Sequence, residues 1–162
     1  MKTKFYAIAL VCNNQVISTD TQEQPVFIKE DLARFQALTT GSVCILGRKT
    51  FDSLNRTVLG NRKFVVISRK LNNPKIKDVT WVNSISKAIS ATKREREVWV
   101  IGGGQIYASF IDMCSEVYIT RVFYDVHNPA ARFPSLDAFE KINTSEVLTS
   151  NELDFVYEEY AK

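Results

Sequence analysis

Little in this chain is available for cross-linking or for holding a metal. Cys12, Cys44 and Cys114 make an odd set of three with no Cys-x-x-Cys pair, and the single His127 cannot complete a common zinc set. A disulfide framework and a structural metal are thereby excluded. Cys12 and Cys44 end or interrupt apolar runs, as buried thiols in a reducing compartment do, and His127 reads as a loop residue. No apolar stretch approaches the ~20 residues needed to cross a bilayer. The start, Met1 to Lys4 followed by the apolar Phe5 to Cys12, has the polarity of a signal peptide, but Asn13-Asn14-Gln15 follows without a small-x-small cleavage site. The reading is a cytoplasmic protein with no membrane partner. Internal repeats, low-complexity tracts and Pro/Gly/Ser-rich linkers are also lacking, so nothing marks a domain boundary.

What remains is an ordinary globular composition. With 162 residues, 45% hydrophobic and 24% charged, the chain is expected to form one domain, 1–162, whose core removes roughly 70% of the unfolded surface from water. The net charge of +3 hides an uneven distribution: residues 1–134 carry 19 Lys/Arg against 11 Asp/Glu, and residues 135–162 carry 2 against 7. A basic surplus spread over many elements suits a small polyanionic ligand better than a nucleic acid, which calls for a dense basic stripe. The densest run, Lys93-Arg94-Glu95-Arg96, is broken by an acid and reads as a solvated helix end or loop. No large exposed apolar stripe is evident, so a monomer is expected.

Short apolar runs alternate with helical patterns. Phe5 to Cys12, Val65 to Ile67 and Val98 to Ile101 are apolar on both faces, as strands covered on both sides are. Between them, Leu32, Phe35 and Leu38 share one helical face, Ile85, Ala88 and Ile89 another behind an N-cap at Ser84 or Ser86, and Gln105 to Met113 repeats the pattern. Glu116 to Arg121 and Asp154 to Glu158 read as an antiparallel hairpin ending on an acidic edge strand. The expected fold is α/β, with a central, mostly parallel sheet, an antiparallel C-terminal strand and helices on both faces.

Three strand ends carry chemistry. Half of the six glycines lie in Ile101-Gly102-Gly103-Gly104-Gln105-Ile106-Tyr107, where an apolar strand gives way to a helix. Glycine there lets backbone pass close to a ligand, and the following amides suit phosphate; a tight turn with no ligand would use the same residues. The spacing is not that of an ordinary dinucleotide fingerprint. Gly47-Arg48-Lys49-Thr50 and Ile67-Ser68-Arg69 end two further strands with hydroxyls and cations. Singly, each basic pair reads as surface charge; their repetition at strand ends points to a ligand. Asp31, beside the core-facing Leu32 and Phe35, is placed for partial desolvation and for pairing with a protonatable heterocycle, or else is a first-turn acid matched to the helix dipole.

Taken in order, these motifs resemble dihydrofolate reductase along nearly the whole chain, in a divergent bacterial, phage or mobile-element form. They are Asp31, Leu32 and Phe35; Gly47, Arg48, Thr50, Phe51 and Ser53; Arg62 and Lys63; Ile101 to Gly104 with Tyr107; Tyr118, Ile119 and Thr120; and Phe133-Pro134. The resemblance implies hydride transfer from NADPH to dihydrofolate, giving tetrahydrofolate for one-carbon and thymidylate metabolism, and an antifolate target. It implies Asp31 as the carboxylate that binds the pterin, with Thr120 bonded to it or to the pterin through a water. Ile8, Leu32, Phe35, Leu54 and Ile101 would be apolar walls, and Arg62 and Arg56 substrate-binding cations, Arg62 on the glutamate carboxylate. The cofactor would meet Leu10, Val16, Ile17, Ser18, Gly47, Lys49, Thr50, Ser53, Ile67, Ile101, the Gly102-Gly103 pair (cis in the family), Gly104, Gln105, Ile106 and Tyr107. Arg48, Ser68 and Arg69 would surround its 2′-phosphate.

Two departures stand out. Where the family usually has Val-Ile-Gly and then Pro-Trp, this chain has Val16-Ile17-Ser18 and Pro25-Val26. Before Phe133-Pro134 it lacks the Gly-Asp that commonly braces the mobile loop, so a less favoured closed state is expected. A riboflavin-pathway pyrimidine reductase of the same fold, and a non-catalytic protein that retains the fold, are the alternatives; Asp31 with Arg62 favours a folate.

Overall fold

The computed structural model describes residues 2–54 and 60–162. Its spine is β1 (Lys4–Val11), apolar and buried from Phe5 onward and therefore able to sit between two parallel neighbours with both faces covered. The other elements in chain order are α1 (Lys29–Thr39), β2 (Val43–Gly47), α2 (Arg48–Ser53), β3 (Lys63–Ile67), β4 (Val79–Val82), α3 (Ile85–Ala91), β5 (Glu97–Val100), α4 (Gly104–Phe110), β6 (Cys114–Val122), β7 (Glu140–Thr144), β8 (Leu148–Ser150) and β9 (Leu153–Ala161). Strand order across the sheet is β4-β3-β2-β5-β1-β6-β9-β7, with β8 also paired to β9. Every pairing from β4 to β6 is parallel, and those of β9 with β6, β7 and β8 are antiparallel. The expected fold class is the observed one.

The pleat divides the core. Phe5, Ala7, Ala9 and Val11 of β1 pack with Val43, Ile45, Val98, Val100 and the α4 residues Ile106 and Phe110. Tyr6 and Ile8 face the other way, into Cys44, Leu46, Phe64, Trp99, Phe51 of α2 and the half-buried Phe35 and Leu38 of α1. Leu10, Cys12, Val16, Ile28, Val122 and Phe155 make a third cluster at the sheet's end, with Val26 against it. Ser84 is the N-cap of α3, accepting the Lys87 amide at 3.1 Å, which decides between it and Ser86. The helix expected over Gln105 to Met113 is split, because α4 stops at Phe110 and a 3-10 turn over Ile111–Met113 feeds straight into β6.

The C-terminal expectation needs correcting. Strand β9 is acidic but is not an edge: β6 flanks it on one side and the wholly exposed β7 on the other. Its Glu158 is only 4% exposed. Sequence alternation located β9, but β7 (Glu-Lys-Ile-Asn-Thr) carries no buried residue and so no hydrophobic period to reveal it.

Candidate functional site

Strands β3, β2, β5, β1 and β6 lie side by side and parallel, so their carboxyl ends form one rim. That is why motifs 20 or more residues apart in sequence converge. Gly47 is in register with Ile67, and Leu10 with Thr120. The backbone zip of β2 with β5 continues past the strand end, since Ile101 donates to Ile45 O at 3.0 Å and Gly47 to Gly102 O at 2.8 Å.

Two of the three turn glycines, Gly102 and Gly104, stand where a side chain would be crowded. The Gly102–Gly103 peptide bond is cis, and Gly102 has φ +120° with the Tyr107 ring 3.2 Å from where a Cβ would lie. A Cβ on Gly103 would meet the Thr50 hydroxyl at 3.5 Å, and one on Gly104 would meet Ala131 Cβ at 3.1 Å. Ile106 lies 3.4 Å from the Cβ position of Gly47, and Gln105 is exposed. Tyr107 is buried, rests on Phe133 with ring centroids 4.8 Å apart and donates to Ile8 O at 2.6 Å, tying the turn to β1. Burial, and after it the Asp31 and Cys114 charges, push its phenol well up, so it is a donor at every ordinary pH.

Beside the turn stand the cations and hydroxyls of the other two strand ends. Lys49 and Arg69 are exposed, and Ser68 is buried, with its Oγ accepting the Lys70 amide at 3.2 Å. Arg48 bonds to Asn73, pairs with Asp52 at 3.4 Å and lies 5.1 Å from the Trp81 ring centroid. Ser53 is turned back onto its own helix, donating to Thr50 O at 2.8 Å. Bare backbone next to cations and hydroxyls is a donor set that fits the phosphates of a dinucleotide.

On the far side of β1, α1 projects Asp31 toward β6. Thr120, 2% exposed, donates from Oγ1 to Asp31 Oδ1 at 2.5 Å, a direct bond where a water-mediated one was an alternative. Burial raises the Asp31 carboxyl above the usual range, while the Thr120 bond and the Arg34 charge pull it back. Ile8 and Ile101 are buried, and Leu32, Phe35 and Leu54 half-buried. Arg62 is buried at the end of α1, donating to Thr39 Oγ1 at 2.8 Å, Gln36 O at 2.7 Å and Gly60 O at 2.7 Å. Arg56 lies outside the described residues. Among the described residues no cluster of His, Cys, Asp or Glu could hold a metal ion.

The loop after β1 is closed along the rim. Val16 is buried and Ile17 half-buried; Ile17 donates to Ala131 O at 2.9 Å, Ala130 to Ser18 O at 2.9 Å, Ala131 to Ser18 Oγ at 3.1 Å and Phe133 to Gln15 O at 2.7 Å. Asn128 adds a side-chain bond to Asp20 at 2.6 Å, and Asp20 donates to Asn128 O at 2.9 Å. Where the family's usual Gly-Asp is lacking, backbone groups with Ser18 and Asn128 tie this loop to the segment before Phe133.

Comparison with known proteins agrees with this architecture. The family described as dihydrofolate reductase matches residues 4–162. The chain belongs to the dihydrofolate reductase family. It is 37% identical over 122 residues to a dihydrofolate reductase of Buchnera aphidicola from Schizaphis graminum, covering 75% of this chain and 74% of that one. With the Haemophilus influenzae dihydrofolate reductase it is 34% identical over 118 residues, 73% and 71% of the two chains. A type 6 dihydrofolate reductase of Proteus mirabilis is 28% identical over 160 residues, 98% of this chain and 99% of that one. Family membership decides for an oxidoreductase of the folate type and against both alternatives. Among the described residues no helix is long and apolar enough to cross a membrane.

Sequence reasoning missed Arg34, whose charge acts on Asp31, and Tyr157 and Glu159, which hold Arg34 together with the motif residue Tyr118. Arg34 had a readable signal, lying three residues after Asp31 on the same helix. The strand residues had none, because only the register of β9 on β6 brings them there.

Proposed function

We propose that this chain reduces dihydrofolate to tetrahydrofolate with NADPH, as a cytoplasmic monomer, on the rim between the glycine turn and Asp31. The observation that carries the reading is the Thr120 hydroxyl bonded directly to Asp31 Oδ1, which leaves the rest of that carboxylate to a ligand with paired N–H donors. Bound NADPH would supply the hydride; the protein's task is to bind, orient and keep water out.

Asp31 takes the pterin's amino group and ring nitrogen as a charge-assisted acceptor and favours protonation of the neighbouring ring nitrogen. Thr120 fixes the carboxylate's rotamer. Ile8, Leu32, Phe35, Leu54 and Ile101 form the apolar walls, where a dry surface strengthens the Asp31 interaction. Arg62, with Arg56, takes the folate's glutamate carboxylate. On the cofactor side, Gly102, Gly103, Gly104 and Gly47 allow close approach, with Gln105, Ile106 and Tyr107 behind them. Lys49 and Thr50 meet the pyrophosphate or adenine-side phosphates, with Ser53 on the cofactor side of the same helix, and Arg48, Ser68 and Arg69 meet the 2′-phosphate that separates NADPH from NADH. Leu10, Val16, Ile17, Ser18 and Ile67 complete the enclosure.

The test is direct. Purified protein mixed with NADPH and dihydrofolate should consume the reduced nicotinamide absorbance, and NADH should serve far less well. No turnover in the wild-type protein, or undiminished turnover in Asp31→Asn, would overturn the reading.

A further inference from the structure

The side chain beside Asp31 that neither the motifs nor the family comparison singles out is Arg34. Its guanidinium lies 4.2 Å from the Tyr157 ring centroid and 5.7 Å from that of Tyr118, an aromatic box that holds a cation by its face. One nitrogen, Nη2, reaches Glu159 Oε1 at 3.5 Å, a long ion pair. The other, Nη1, is buried with no hydrogen-bond partner among the described residues. An arginine so placed is fixed in position and incompletely neutralised. The contrast is Arg121, three residues beyond Tyr118 on β6, whose Nε meets Glu158 at 2.7 Å while Nη1 meets Gln15 at 2.8 Å.

The charge left over on Arg34 has somewhere to act. Residues three apart on a helix are neighbours, and Arg34 and Asp31 are so spaced on α1. Among the described residues the other groups around Asp31 do not supply a cation. From α1 comes the adjacent Glu30, which accepts Ser150 Oγ at 3.1 Å; from β6 comes Thr120; from β9 comes Tyr157 and from α4 Tyr107, both of which feel the Asp31 charge, while Tyr118 and Glu159 face Arg34 itself. The phenols of Tyr107 and Tyr157, raised first by burial and then by the Asp31 charge, are neutral at working pH. One neighbouring acid, a hydroxyl and neutral phenols would leave Asp31 with every reason to take up a proton of its own.

We propose that Arg34 is a positioning residue: held by Tyr157, Tyr118 and Glu159, its charge keeps Asp31 ionised and so available to a protonatable ring. The proposal rests on Asp31 being the substrate-binding carboxylate. Arg34 touches neither ligand in this scheme and acts wholly through Asp31. The direction of the Arg34 effect on Asp31, a lowering against the rise caused by burial, agrees with it.

The experiment is a carboxyl ¹³C NMR titration of ligand-free protein labelled at aspartate, with Asp31→Asn assigning the Asp31 signal. In Arg34→Met and Arg34→Gln the Asp31 midpoint should rise by about one pH unit. In Arg34→Lys, which keeps the charge, it should stay within ~0.3 unit of wild type. The high-pH limb of the turnover profile should move the same way as the midpoint. Should Arg34→Met fail to fold, Arg34→Gln answers alone, since it keeps the length and polarity. An unmoved midpoint in a folded uncharged variant, or an equal rise in Arg34→Lys, overturns the proposal. Because the midpoint is read without ligand, an inactive wild type would sink the reductase reading while leaving this titration intact.

Discussion

Thr120 and Arg121 are adjacent on β6 and point to opposite faces of the sheet, each toward a carboxylate. On one face Thr120 gives Asp31 a single neutral hydroxyl, with the Arg34 charge nearby. On the other, Glu158 receives Arg121 at 2.7 Å, Lys141 at 3.0 Å and the Tyr160 hydroxyl at 2.8 Å. Burial works to raise both acids. It prevails at Asp31, while at Glu158 the bonds from Arg121, Tyr160 and Lys141 overcome it and hold the carboxyl below the usual range. A carboxylate with its donors filled is a piece of structure; one with a single donor is held ready for something that arrives. The parallel half keeps its acid under-satisfied at the rim, and the antiparallel half spends its acid on tying β6, β7 and β9 together.

Four measurements would break or sharpen that contrast. The largest effect is expected for Asp31→Asn, where turnover should fall about 10³-fold, or ~4 kcal/mol. The same change should raise the melting temperature of the ligand-free protein by about 3 °C, because a charge is no longer confined by burial. Glu158→Gln should do the reverse, costing about 3 kcal/mol in urea unfolding by stranding Arg121, with turnover within about twofold of wild type. Thr120→Val should lower kcat/KM about tenfold, ~1.4 kcal/mol, through loss of the one internal donor to Asp31. The smallest signal lies in pH. Glu158, whose folded midpoint is lowered from 4.5, contributes stability that is present above that value and lost as pH falls through the folded midpoint. Asp31, raised from 3.8, binds its proton more tightly when folded, so its burial erodes stability as pH climbs from that value through its folded midpoint. Urea unfolding from pH 3 to 7 should show the first slope vanish in Glu158→Gln and the second in Asp31→Asn.

Much of this half-and-half design could be read from the chain alone. The apolar runs of β1, β3 and β5 announce buried parallel strands, and Gly102-Gly103-Gly104 announces a turn that backbone must approach closely. Asp31 was legible because a carboxylate next to Leu32 and Phe35 is out of place on a core-facing stripe. What stayed hidden depended on register. Glu158 looks like any exposed acid in an alternating strand until β7 is found to cover its flank, and Arg34 looks like a surface charge until Tyr157 and Glu159 arrive from 120 or more residues away. The ties between the loop after β1 and the segment before Phe133 were hidden for a related reason. Motif comparison weighs side chains, and here most of the work falls to main-chain amides and carbonyls.

That brace makes the segment at 127–132 tolerant of side-chain replacement. Ala130, Ala131 and Asn128 hold the loop at 15–20 largely with groups that every residue but proline possesses. A fastening written in the main chain is nearly invisible to point mutation. Side-chain replacements along this stretch should leave the fastening in place, and the change it tolerates least is proline at 130 or 131, whose amides donate to Ser18.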